Sequence, residues 1–229
     1  MNNSLNRECP AGFRPFTGAD ASHRENRRLL PEKPPVFQTV FCASLVEAFD
    51  RLDIRDGMTL SFHHHLRDGD KVLSLVAVEV AKRGLKDMTF APSSIFPCHE
   101  SLVGLIAAGN VTGIVCNYMN GPVADAVAAG KLKNIAIMDT HGGRARAIES
   151  GDLVIDVAFL AMPAVDRKGN GSGRLGKNAC GAIGYAIPDS LYARKVVLIT
   201  DEIIDKIPDP EIPAERVDLV VRVASIGDA

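Results

Sequence analysis

Three consecutive imidazoles and a guanidinium stand together in His63-His64-His65-Leu66-Arg67-Asp68-Gly69-Asp70, between a short β-rich run and a helical one. Where a strand ends and a helix begins, free backbone N–H groups and the helix dipole favour an anion. Histidine side chains at that point can donate hydrogen bonds to a carboxylate or to a developing oxyanion. The leading reading is therefore an anionic substrate site. Two other readings stay open. Consecutive side chains diverge on a regular backbone, so no more than about two of these histidines could converge on one metal, and no HExxH spacing is present. The run could also be merely solvated or core-packed.

A second anion-ready stretch is Thr140-His141-Gly142-Gly143-Arg144-Ala145-Arg146. Paired glycines permit close backbone approach, and Arg144 and Arg146 bracket a loop-to-helix junction, where either could hold a carboxylate or phosphate. Alternatively the stretch is a glycine turn whose arginines pair with Glu149 and Asp152. The segment 171–181 is glycine-rich but lacks the spacing and the terminal Lys-Ser/Thr of a phosphate loop, which argues against nucleotide hydrolysis. Ser93 and Ser94 near Cys98 and His99 read as a capped helix start, because no third group orients a nucleophile–base pair.

These loops need a frame. Ser44 caps an apolar periodicity through Leu52, and a strand at Met58 to Phe62 follows the Asp56-Gly57 turn. Helices are expected at Asp70 to Arg83, His99 to Ala108, Pro122 to Ala129 and Arg144 to Glu149. Strands are expected at Met88 to Ala91, Val111 to Cys116, Asn134 to Met138, Leu153 to Leu160, Lys195 to Thr200 and Val217 to Val223. The alternation predicts an α/β fold: an open, mostly parallel sheet with helices on both faces. Ligands then sit outside the carboxyl ends of the strands, the edge where both stretches fall.

Across 229 residues, 46% hydrophobic and 24% charged, the composition is that of an ordinary globular chain. A net charge of -2 gives no footprint for nucleic acid or an anionic membrane. No apolar run approaches the roughly 20 residues that span a bilayer, and the N-terminal residues lack a signal peptide's apolar stretch, so the expected location is cytoplasmic. Five scattered cysteines without a CxxC pair favour reduced thiols over a disulfide frame. Residues 1–36, rich in Arg, Pro and Asn, read as an extended arm, and 37–229 as the α/β domain.

From about Phe37 to Asp228, and most specifically in the histidine loop and residues 142–151, the chain resembles the citrate lyase alpha chain, a relative of family I CoA transferases. The resemblance implies a CoA-transferase-like fold and a citrate CoA-transferase activity that exchanges acetyl for citryl on an acyl-carrier thioester. It implies no bound cofactor or metal; the CoA-type thioester is substrate. Implied partners are citrate, the acyl-carrier (gamma) and lyase (beta) subunits, and a second transferase half or another copy of the chain. In family I enzymes the loop after the first strand is glycine-rich; His63, His64 and His65 stand in its place, which suits a larger, more anionic acyl group. Asp166-Arg167-Lys168-Gly169-Asn170 resembles the Asp-x-x-Gly-Asn stretch of that family, so Asn170 is expected to offer its amide to the acyl region, unless it only closes an Asx-type turn. The implied substrate set is His63, His64, His65, Gly142, Gly143, Arg144 and Asn170. The glutamate nucleophile of such enzymes belongs to their second half. No residue here matches its motif, and Glu202 resembles the closing segment of the first half. Two rival expectations are a sugar-phosphate isomerase, which needs a carboxylate base in the cleft, and a non-catalytic scaffold of the lyase complex.

Overall fold

The computed structural model describes residues 8, 11–12, 30–63, 66 and 69–228. Its elements in chain order are β1 (Val40–Cys42), α1 (Leu45–Leu52), β2 (Thr59–His63), α2 (Val72–Lys82), β3 (Met88–Pro92), α3 (Leu102–Ala107), β4 (Val111–Cys116), α4 (Pro122–Ala128), β5 (Ala136–Met138) and α5 (His141–Ser150). There follow β6 (Val157–Ala161), β7 (Ala164–Asp166), β8 (Gly171–Ser172), α6 (Ala186–Tyr192), β9 (Lys195–Thr200), β10 (Ile203–Ile204) and β11 (Leu219–Arg222). Eight strands form a parallel sheet in the order β1-β11-β9-β6-β2-β3-β4-β5. β10, β7 and β8 form a small second sheet, with β7 and β8 antiparallel.

The chain steps outward from β2 to β5, and α5 then returns it across the sheet to β6, on the other side of β2. That reversal places a crevice at the carboxyl ends of β2 and β6, the position where open α/β sheets bind ligands. Alternate residues of each strand face opposite layers. Leu60, Phe62, Phe90 and Phe159 belong to one core, under α1 to α4. Within it Phe159 stacks on Phe62 at 6.0 Å and on Phe49 at 5.8 Å. Ala158, Leu160, Val196 and Leu198 join a second core with Ile148 of α5 and Ala186 of α6.

Ser44 caps α1 as expected, its hydroxyl accepting from the Glu47 amide. Three differences bear on the site. The predicted strand from Leu153 begins only at Val157, because Leu153 donates back to Ala147 to close α5 and Asp156 accepts from the Thr59 amide. α5 starts at His141 rather than Arg144, since the Thr140 hydroxyl caps it by accepting from Gly143 N at 2.9 Å. α6 was not expected at all; its Pro188 sits in the first turn, where a missing N–H costs little.

Of the expected arm, residues 1–29 fall almost wholly outside the described ones. Residues 30–36 carry no regular secondary structure and lie along the domain itself: the Leu30, Lys33 and Val36 amides donate to Glu149, Leu191 and Glu215, and Lys33 pairs with Asp218. Among the described residues no helix is long and apolar enough to cross a membrane.

The two glycines of α5 are not equivalent. A Cβ on Gly142 would meet open space, whereas one on Gly143 would lie 1.9 Å from Asp139 Oδ1, which accepts from the Thr140 amide. Gly142→Ala is expected to stabilise the fold by about 0.5 kcal/mol through helix propensity, and Gly143→Ala to destabilise it by about 1 kcal/mol as Asp139 is displaced; urea unfolding of the two variants measures both. By the same assay Phe159→Ala, which leaves a hole between Phe49 and Phe62, should cost about 3–5 kcal/mol.

Candidate functional site

β2 supplies the floor of the crevice. Ser61 and His63 alternate with the core residues Leu60 and Phe62 and so face the α5–α6 layer. In register beside Ser61 stand Ala91 of β3 and Ala158 of β6, two small side chains that leave room above the sheet. Arg144, on the first turn of α5, fills that room. Helical side chains lean toward the helix N-terminus, which directs the guanidinium from α5 to the carboxyl edge of the sheet.

The guanidinium is almost wholly buried, at 1% exposure, as are Ser61 and Asp189 of α6, each at 0%. Arg144 Nη2 donates to Ser61 Oγ at 2.7 Å, and Ser61 Oγ donates to Asp189 Oδ1 at 2.8 Å. Nη2 also lies 3.4 Å from both Asp189 oxygens. Burial pushes the Asp189 carboxyl above its ordinary range, against the opposing pull of Arg144 and Ser61. Arg144 Nε and Nη1, by contrast, are buried with no hydrogen-bond partner among the described residues. Buried charged donors are normally satisfied, so two such nitrogens call for an acceptor supplied from elsewhere.

Above this triad three rings come together. Tyr185, which precedes α6, lies 5.2 Å from the His141 ring and 6.3 Å from that of His63. Each element thus contributes twice, at its own periodicity: Ser61 and His63 two apart on β2, His141 and Arg144 three apart on α5, Tyr185 and Asp189 four apart at α6. The Tyr185 hydroxyl is buried without a partner among the described residues. Asn117, just beyond β4, donates through Nδ2 to the Thr140 and Asp139 carbonyls at the head of α5, leaving its buried Oδ1 unmatched.

The structure therefore brings together His63 and Arg144 of the expected set. His64 and His65 lie outside the described residues. Gly142 and Gly143 form no turn; they occupy the first helical turn of α5, and only Gly142 keeps an open approach. Arg146 follows the rival reading, pairing with Asp152 at 2.7 Å on the surface. Asn170 holds the β7–β8 turn: its Oδ1 accepts from the Ala214 amide and its Nδ2 donates to Asp166. That corresponds to the Asx-type alternative, and no hydrogen bond among the described residues joins it to the Arg144 cluster.

Nearby groups are committed elsewhere. Asp70 accepts from the Val72 and Leu73 amides at the start of α2 and from His99 Nε2, whose Nδ1 in turn accepts from the Phe96 amide. The loop's far end is strapped by the Asp228 amide donating to Gly69 and the Lys71 amide to Ile226. Glu202 accepts from the Lys177 amide and so fixes the glycine-rich segment 171–181. Burial pushes the Cys116 thiol up to about 11, which keeps it un-ionised at neutral pH and a poor nucleophile. What the arrangement offers chemically, then, is two fixed, buried cationic donors that match an acceptor such as a carboxylate oxygen.

The model of the family described as Citrate lyase, alpha subunit (CitF) matches residues 38–229. The citrate lyase alpha chain of Escherichia coli K12 is 44% identical over 192 residues, which cover 82% of this chain and 37% of that one. The alpha chain from Klebsiella pneumoniae is 38% identical over 223 residues, covering 96% and 42%. This chain thus spans about two-fifths of the length of the curated relatives it matches. A crystal structure of the putative citrate lyase alpha subunit of Streptococcus mutans in complex with citrate superposes with a TM-score of 0.83 at 42% identity, over 87% of this chain and 40% of that one. Glutaconate coenzyme A-transferase of Acidaminococcus fermentans, at 14% identity and a TM-score of 0.60 over 80% of this chain and 75% of its own, shares the fold. With the family model spanning all but the first residues, and with identities of this size, the chain belongs to the citrate lyase alpha subunit family.

Proposed function

We propose that this chain forms the citrate-holding half of a citrate CoA-transferase site, acting in acyl exchange between citrate and an acyl-carrier thioester. The observation that carries the reading is the buried Arg144 guanidinium, anchored through Nη2 and open at Nε and Nη1. A carboxylate met by fixed cationic donors in a dry cleft is held far more firmly than in water and is oriented for reaction. The citrate in the Streptococcus mutans relative supports the same ligand here.

In the proposed exchange, acetyl thioester and citrate become citryl thioester and acetate. A glutamate carboxylate from a second transferase half attacks the acetyl thioester, giving a glutamyl–acetyl anhydride and the carrier thiolate, which attacks the glutamyl carbonyl to give a glutamyl thioester and release acetate. A citrate carboxylate then attacks that thioester, giving a glutamyl–citryl anhydride and the thiolate, which attacks the citryl carbonyl to give the citryl thioester and restore the glutamate. Residues of this chain hold the carboxylate in place and keep water out; the N–H groups at the crevice stabilise the oxyanion of each tetrahedral stage. The acyl-carrier and lyase subunits are the proposed partners, and the cytoplasm the proposed location. An isomerase reading would need a free carboxylate base, whereas Asp189 is engaged by Ser61 and Arg144.

Acyl transfer from acetyl-CoA to labelled citrate, assayed with the chain alone and with a separately prepared second half, tests the reading. Exchange is expected only in the mixture; robust exchange by the isolated chain would place the nucleophile here and overturn the division of labour, and exchange in neither would favour the scaffold role. Asp189→Ala strands the buried guanidinium and should cost about 3–5 kcal/mol of stability. The double change Arg144→Met with Asp189→Leu should keep the fold to within about 1–2 kcal/mol, because an apolar pair can replace a buried ion pair. It should nevertheless abolish the rise in melting temperature that citrate confers.

A further inference from the structure

We infer that the Tyr185 hydroxyl is a second substrate donor, which binds a further carboxylate of the ligand held by Arg144 and makes the crevice selective for polycarboxylates over monocarboxylates. The inference rests on the reading of Arg144 as a carboxylate holder and adds to it a residue and a specificity.

A tyrosine hydroxyl removed from water nearly always finds a hydrogen-bond partner. This one has none among the described residues, although its ring is held from two sides, by His141 at 5.2 Å and His63 at 6.3 Å. Rings packed in this way fix the direction of the C–O bond, so the hydroxyl cannot swing out to solvent without breaking both contacts. Burial raises the Tyr185 pKa, with Arg144 acting against it, so the phenol stays protonated at neutral pH. Its O–H, like Nε and Nη1 of Arg144, is thus a buried donor without an acceptor among the described residues.

The two residues reach the crevice from different elements, Arg144 from α5 and Tyr185 from the head of α6. They also sit at different levels, Arg144 with Ser61 and Asp189 below, Tyr185 with the histidine rings above. A ligand with two or more carboxylates on a short carbon frame can occupy both levels at once. A monocarboxylate reaches only one level and leaves the other unsatisfied, which is the condition under which polar sites discriminate most strongly.

The test is isothermal titration of the full chain with citrate, propane-1,2,3-tricarboxylate and acetate, for the wild type, Tyr185→Phe and Arg144→Lys, with melting temperatures of the ligand-free proteins. Phenylalanine keeps the ring contacts and removes only the hydroxyl. Tyr185→Phe should weaken both tricarboxylates by about 10-fold or more, leave acetate unchanged, and leave the free protein's melting temperature equal or higher, since an unmatched buried hydroxyl is gone. Unchanged citrate affinity in Tyr185→Phe, with citrate binding lost in Arg144→Lys, would overturn this inference and leave the carboxylate-holding reading intact. Equal weakening of acetate, or a marked fall in the free protein's melting temperature, would also overturn it. Absence of citrate binding by the wild type, or full binding by Arg144→Lys, would instead sink the reading of Arg144 itself.

Discussion

A buried guanidinium has to be balanced, and much of this molecule is arranged around that requirement. Isolated burial of such a charge is prohibitive, so Arg144 is possible only because Ser61 and Asp189 meet its Nη2 from β2 and α6. Stranding one member of a buried pair costs on the order of 3–5 kcal/mol, against a typical net stability of about 5–15 kcal/mol. The triad therefore ties three segments far apart in the chain into one arrangement. It does so with one end of the guanidinium and leaves Nε and Nη1 without a partner among the described residues.

The two faces of the sheet divide the labour. Under α1 to α4 the strands present Phe62, Phe90 and Phe159 to a dense aromatic core, where burial and packing hold the sheet in shape. Toward α5 and α6 the same strands present Ala91, Ala158 and Ser61, and the volume saved accommodates polar groups. Phe62 and Ser61 are adjacent in sequence and serve opposite ends, a direct result of the two-residue period of a strand.

Much of the frame could be read from the sequence because its signals are local. Val111 to Cys116 and Lys195 to Thr200 emerge as strands with those bounds, the second built around the continuously apolar Val196 to Ile199, and Ser44 announces α1. Arg144 was legible from its place behind two glycines. Its partners were not: Ser61 looks like an ordinary strand residue, and Asp189 lies in a segment whose Pro188 argues against a helix. Tyr185 carries no motif at all; its position arises from a meeting of three elements. A lone acid in the largely apolar stretch Ala186 to Leu191 was the one available hint, since an acid placed there is buried only if something pairs with it. Asn170 reads two ways for the opposite reason: its Asp-x-x-Gly-Asn context is equally the signature of the turn that it closes.

The return of α5 across the sheet carries a kinetic consequence. Ser61, Arg144 and Asp189 come from positions separated by 83 and 45 residues, and none of the pairings is local. Contacts of that span carry a loop-closure cost that local contacts do not, which slows folding. The crevice therefore has no partial form: a chain that has built β2 through β5 but not yet docked α6 holds an unbalanced cation and no ligand site. Occupancy of the crevice is a property of the completed sheet, and a ligand bound there holds together segments from both sides of β2 at once.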